Sequence, residues 1–440
     1  MDGADVSMLQ DLFLRMLTVV FTVAPAGSRS LELPAPIPLS NLEKAEADGE
    51  PRPDRTSKGK TAPDDIVPIL VSIVPILRKV LLEPERVITA SVSISTSLIG
   101  PIFRSRSFPN NVSPTLLDLV YQLTRLQNNQ KAWKKEVSDA FLDPKFFLSP
   151  PSIIKEKWVP LTVQYLLADR ERMMELLSRI TPPTTAGVLF GVGAASARQE
   201  ADRRTALNLK RIAFLIFAAE HDAFVPKLTE IEEKLVELLS ATAVSSPSSA
   251  TRGEVYIVLR ALALKTSSVH MSSLWPLINT ELHNALVALA PDGDPEHTFN
   301  DAGILQACKL LDTLLVLSPD EFQLHEWLFV TDTIEAVYHA HDWNPMALAD
   351  QVVLELSGGR GAYESDTAMA YGAGRKPWFR GRRAGTGQAE MDVKRDVIAP
   401  FLRGLSIATY EGTYAMAKPD IEECREALLA DLFEEVPTSA

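Results

Sequence analysis

The stretch "DEFQLHEWLFVTDTIEAVY", Asp320 to Tyr338, places Phe322, Leu324, Trp327, Leu328, Phe329, Val330, Ile334, Val337 and Tyr338 around nearly the whole circumference of a helix. A helix that is apolar on every side is enclosed by its neighbours, so this stretch predicts the central helix of an all-α protein. Pro319 suits a first helical position, where a missing N–H loses no intrahelical bond, and predicts a sharp start.

Outward from it, "LLDLVYQLTRL", "WVPLTVQYLLADRERMMELLSRI", "ALNLKRIAFLIFAAE", "IEEKLVELLSA", "EVYIVLRALALKT", "SLWPLINTELHNALVAL" and "ILQACKLLDTLLVL" repeat the same spacing with short polar or Pro-containing joints. Capping-box pairs at Ser196/Gln199, Thr229/Glu232, Thr251/Glu254 and Ser318/Glu321 mark expected helix starts. Successive helices with short links favour antiparallel pairs stacked into a right-handed array of the armadillo or HEAT type. No strict period is visible, so the expected array is irregular. "ITASVSISTSLIG", Ile88 to Gly100, alternates apolar and hydroxyl residues like a strand; with no second strand to pair with, it reads as a Ser-rich helix.

Composition divides the chain. Residues 1–24 read as an N-terminal helix, whose Asp2, Asp5, Asp11 and Arg15 do not fit a signal peptide. Residues 25–63 are Pro-rich and charged and read as a disordered insertion. Residues 64–356 read as the main helical array, 357–390 as a flexible basic, aromatic and Gly-rich loop, and 391–440 as C-terminal helices and tail. No uncharged, Pro-free apolar run reaches the ~18 residues of a membrane span, so no transmembrane segment is expected. The net charge of −13 argues against nucleic acid as a partner. Cys308 and Cys424 have no ligand-spaced neighbours, which excludes a disulfide framework or zinc site at the level of sequence.

Gly187, Gly191 and Gly193 in "GVLFGVGAAS" suggest a phosphate loop, but Ser196 stands where a third glycine is needed and no Lys-Ser or Lys-Thr follows. They read as a joint. Behind them Arg203, Arg204, Lys210 and Arg211 fall on one side of a helix whose other side carries Leu209, Ile212, Ala213 and Ile216, the pattern of a solvated face partly neutralised by Glu200 or of a patch for anionic lipid or an acidic partner. In "GRKPWFRGRR", Arg375, Lys376, Arg380, Arg382 and Arg383 surround Trp378 and Phe379, the composition of a loop that meets a membrane or a partner. His325 and Asp332 lie two turns apart, roughly 10 Å, too far for a catalytic pair. His339, His341 and Asp342 lack further metal ligands. No catalytic, cofactor-binding or metal residue is expected.

Several segments carry a resemblance: "NNVSPTLLDLVYQLTRL", "KAWKKEVSDAFLDPKFF", "TTAGVLFGVGAASARQEADRRTALNLKRIAFLIFA", "SSPSSATRGEVYIVLRALALKTSSVHMSSLWPLIN" and "LQACKLLDTLLVLSPDEFQLHEWLFVTDTIEAVY". Together they are similar to the C-terminal region of the dopey family in a fungal form. The resemblance implies a fragment of a much longer, non-enzymatic scaffold acting in endosome-to-Golgi retrograde transport and in Golgi and endoplasmic-reticulum organisation. It implies as partners a large Golgi scaffold related to Sec7-type Arf activators and an aminophospholipid flippase; contact with phosphoinositide or phosphatidic acid is the expectation that the basic segments add. It also implies a cytosolic location, peripheral to trans-Golgi and endosomal membranes. The alternative is a helical adaptor or regulatory subunit without membrane contact.

Overall fold

A computed structural model describes residues 3–23, 62–181, 194–240, 250–290, 298–330, 347–356, 375–379, 392–414 and 416–433. Among these the chain is all-α, and Arg375 and Pro419 form an isolated backbone bridge. It divides into two compact units, Met1–Ala168 and Asp169–Ala440, a boundary inside the segment expected to be one array.

The first unit holds α1 (Gly3–Val23), α2 (Ala62–Ile73), α3 (Pro84–Ile94), α4 (Pro114–Thr124), α5 (Lys134–Leu142) and α6 (Val159–Ala168). The alternating Ser-rich stretch is helical: α3 runs through a wide turn at Ser95–Ile99 into a further turn, Gly100–Phe103. Its hydroxyls explain how. Thr89, Ser91 and Thr96 each donate to the carbonyl four residues back, so polar side chains on a half-buried helix are satisfied within the helix. Pro84–Phe103 is long and apolar enough to cross a membrane by length and composition, and half of its most apolar stretch is buried in the protein. Around it Phe146 and Trp158 meet edge to face at 5.1 Å, and the Tyr165 hydroxyl sits 3.1 Å from Ser138 Oγ.

The second unit contains α7 (Arg172–Ser178), α8 (Ala194–Ala218), α9 (Leu228–Leu239), α10 (Ala250–Lys265), α11 (Trp275–Val287), α12 (Asp301–Leu317), α13 (Leu348–Leu356), α14 (Ala399–Tyr414) and α15 (Ile421–Leu432). The ends of α8 and α10 lie side by side, since Lys265 Nζ donates to Ala219 O at 2.7 Å and Asp222 N to Lys265 O at 2.8 Å. α10 and α12 run the same way: a Cβ on Gly253 would stand 3.8 Å from Gly303 Cα, and Arg260 Nε donates to Thr313 Oγ1 at 3.2 Å. Thus α8, α10 and α12 form one parallel layer, with α9 and α11 returning between them. That alternation is the arrangement of helical-repeat arrays.

The central helix is not the expected one. Val255, Tyr256, Val258, Leu259, Ala261 and Leu262 cover every side of α10 and are all buried. The Asp320–Tyr338 stretch instead breaks after one turn, Asp320–Gln323, and again after Glu326–Leu328, leaving Leu324 70% and Trp327 62% exposed; residues 331–346 lie outside the described ones. Ser318 closes α12 in the left-handed region at φ 46° instead of capping a new helix, and Asp320–Gln323 follows as a separate turn behind Pro319. The other capping-box residues, Ser196, Thr229 and Thr251, lie inside the first turns of α8, α9 and α10. Side-chain caps are made elsewhere, by Ser113, Asn300 and Asp420, which satisfy otherwise open N–H groups.

Candidate interaction surfaces

The expected basic face of α8 does not stay together. Arg203 and Arg204 are exposed, with Arg204 Nε 2.9 Å from Glu200. One and a half turns on, Lys210 is drawn to Glu254 of α10 at 3.6 Å, and Arg211 is buried and donates to Asn208 Oδ1 at 2.9 Å. The reason is the parallel layer: from Leu209 onward α8 is covered on all sides, so any charge there must turn inward to a partner. The glycine joint, residues 182–193, lies outside the described residues.

The second basic segment departs further from expectation. Residues 375–379 are not a free loop but a strap docked on α12, α14 and the start of α15. The backbone N–H groups of Trp378 and Phe379 donate to the two oxygens of Asp312 at 3.0 and 3.1 Å. Phe379 is 6% exposed with its ring 4.7 Å from that of Phe401, so it is core and not membrane-facing. Asp420 N donates to Arg375 O at 2.9 Å, and Lys376 Nζ stands 3.6 Å from Asp420. Arg380, Arg382 and Arg383 lie outside the described residues.

Sequence reasoning missed the group that organises this end of the unit. Asp431 of α15 is buried between Arg260 of α10 and Lys309 of α12, bonded to both. Burial pushes its carboxyl up, but the two cations outweigh burial and hold it below its ordinary value. Asp312, one turn from Lys309, is pushed up to about 6 by burial despite its two N–H donors. A parallel arrangement ties α9, α10 and α11: Arg252 pairs with Glu281, donates to Leu239 O at 2.7 Å and lies 4.9 Å over the Phe299 ring, while Tyr256 donates to Glu281 at 2.8 Å. The available signal was a charged residue inside an apolar run, as at Lys309 and Asp312 in "ILQACKLLDTLLVL".

Among the described residues no group of three or more His, Cys, Asp or Glu could hold a metal. His325 Nδ1 lies 3.1 Å from Glu321 O, a local helical contact, while Asp332, His339, His341 and Asp342 lie outside the described residues. Cys308 and Cys424 are both buried, and burial pushes the Cys424 thiol up to about 12, far from a reactive thiolate. In the first unit Met8, Leu9, Leu12 and Met16 leave one side of α1 apolar and exposed.

The model of the family described as DOP1 C-terminal matches residues 7–415. The chain is 42% identical to Protein dop1 of Emericella nidulans over 97% of its length and 22% of that protein. It is 28% identical to Protein DOP1B of Mus musculus, over 74% of this chain and 15% of that one. Against Protein DOP1 of Saccharomyces cerevisiae it is 23% identical, over 78% and 20% respectively. The chain therefore spans about a fifth or less of the length of these relatives. No solved structure matches it.

Proposed function

The chain belongs to the Dop1, or dopey, family, and from that premise we propose that it is a non-enzymatic scaffold module of endosome-to-Golgi retrograde transport and of Golgi and endoplasmic-reticulum organisation. It acts by binding protein partners, among them a large Golgi scaffold related to Sec7-type Arf activators and an aminophospholipid flippase, at trans-Golgi and endosomal membranes. The observation that carries the scaffold reading is the use made of polar groups: Arg252, Arg260, Lys309, Glu281 and Asp431 tie helices to one another inside the second unit. Their burial suits rigidity, and it leaves the outer faces of a stacked array for recognition.

Direct contact with phosphoinositide or phosphatidic acid headgroups is the narrower part of the proposal, and it falls to Arg203, Arg204 and the segment 380–383. The adaptor reading without membrane contact is favoured by one observation: Lys210, Arg211 and Phe379 face inward. Co-sedimentation with vesicles containing phosphatidylinositol 4-phosphate or phosphatidic acid, for the parent and for a variant with Arg380, Arg382 and Arg383 changed to Glu, separates the two. Salt-sensitive binding lost in that variant supports lipid contact through the loop, and binding retained moves it to the helices. No binding beside stoichiometric co-purification with the Sec7-related scaffold supports the adaptor. The absence of both lipid binding and a protein complex would overturn the scaffold reading.

A further inference from the structure

The strap at residues 375–379 sits as a bound peptide does. It supplies two successive N–H groups, from a turn at Trp378 and Phe379, to a side-chain acceptor, its Arg375 carbonyl accepts from Asp420 N, and Arg375 bridges Pro419. Main-chain bonds of this kind hold a segment in place, while side-chain pockets choose its sequence. Here the choice is visible. Phe379 fills a buried position against Phe401, Trp378 leans on the same ring at 6.3 Å, and Arg375 Nη2 reaches Leu315 O at 3.4 Å. Lys376 lies 3.6 Å from Asp420 and 4.0 Å from Glu423, so cation meets carboxylate.

The docking is closely balanced. Ordering five residues of backbone costs a free energy comparable to what one buried ring and two charge-assisted bonds return. The groove, however, is poorly suited to being empty. Asp312 is 4% exposed, and the strap's two N–H groups are the hydrogen-bond donors it has among the described residues. Undocking the strap takes both donors from Asp312, leaves water to replace them, and exposes the otherwise buried Phe401 ring. Replacement by a second segment of the same chemistry avoids that state. An open cleft beside the strap, lined by Asp312, Leu315, Lys376, Leu405, Ala408 and Thr409, offers such a segment a way in.

We propose that this groove is an exchangeable peptide site, filled in cis by residues 375–379 and in trans by a segment of a partner protein that likewise carries two basic residues, a proline and two aromatics. The inference rests on the protein-scaffold reading for its partner, but the groove is tested directly, and a failed titration leaves the vesicle and complex assays of that reading standing. Fluorescein-labelled GRKPWFRG peptide is titrated by anisotropy into the whole chain and into a variant with residues 375–379 replaced by alternating Gly and Ser. Saturable binding at least tenfold tighter to the replaced chain is expected, because the competing strap is gone. Asp312→Asn in that background should weaken it at least tenfold, and a peptide with both aromatics changed to Ala should not bind. Where circular dichroism shows that the replaced chain is unfolded, Phe379→Ala in the otherwise intact chain takes its place, with at least threefold tighter binding than wild type expected. Absence of saturable binding to a folded variant, equal binding by a scrambled peptide, or indifference to Asp312→Asn would overturn the proposal.

Discussion

Lys210 Nζ stands 3.6 Å from Glu254 Oε1, each side chain 13% exposed, at the seam between α8 and α10. Burial raises the Glu254 carboxyl to about 7 even with Lys210 beside it. In the unfolded chain the same group ionises near its ordinary value of 4.5. Between those values folding takes up a proton, so stability falls as the pH rises and levels off above the folded value. Denaturant unfolding at pH 6 and pH 8 should show a loss of about 1 kcal/mol over that window from this group. Glu254→Gln should flatten the profile, and an unchanged slope in that variant would assign the titration elsewhere.

The Arg260–Asp431–Lys309 group should be strongly coupled. Asp431→Asn leaves two buried cations short of a partner and should destabilise the second unit by about 3–5 kcal/mol. Limited proteolysis should then cut first near α15. Replacing all three residues by apolar ones of similar volume should recover most of the loss. Additive losses across single, double and triple variants would show that the three residues act independently.

The two ends of α8's basic pattern should behave differently. Arg203→Glu with Arg204→Glu changes exposed side chains and should leave the melting temperature within about 2 °C of the parent. Lys210→Glu places a second carboxylate against Glu254, and Arg211→Glu buries an anion, so either should cost several kcal/mol. Vesicle binding is therefore informative only for the first pair, and differential scanning fluorimetry checks the contrast.

Within "DEFQLHEWLF", Phe322 is fully buried between the rings of Trp275 and Phe329, while Trp327 is largely exposed. Phe322→Ala should cost about 3–5 kcal/mol, whereas Trp327→Ala should change stability by no more than about 0.5 kcal/mol. Equal costs, measured by urea unfolding, would contradict this placement.

Helical class and most helix positions were legible because periodicity of apolar residues is a local property. Which helix is central was not. The spacing in α10 and in Asp320–Tyr338 is equally apolar all round, and nothing in that spacing marks the breaks after Gln323 and Leu328. Capping boxes marked helix starts to within a few residues but named the wrong caps, since Thr229 and Thr251 sit inside their first turns. The basic patterns were real in one dimension, yet whether Lys210 or Phe379 faces outward depends on Glu254, Asp312 and Phe401, residues that only the tertiary fold brings near.

Arg260 and Asp431 are 171 residues apart in the chain. At ribosomal speeds of about 5–20 residues per second, roughly ten to thirty seconds separate the appearance of the arginine from that of its counter-ion. Throughout that interval α10 has been made without the carboxylate its buried arginine pairs with, and closing α10 against α12 leaves Arg260 and Lys309 with Asp312 as their nearby buried anion. The second unit thus has its last fastener near its last helix. A ribosome stalled before residue 431 would hold a nascent chain in which Arg260 and Lys309 lack the Asp431 carboxylate, leaving the central layer open to chaperones.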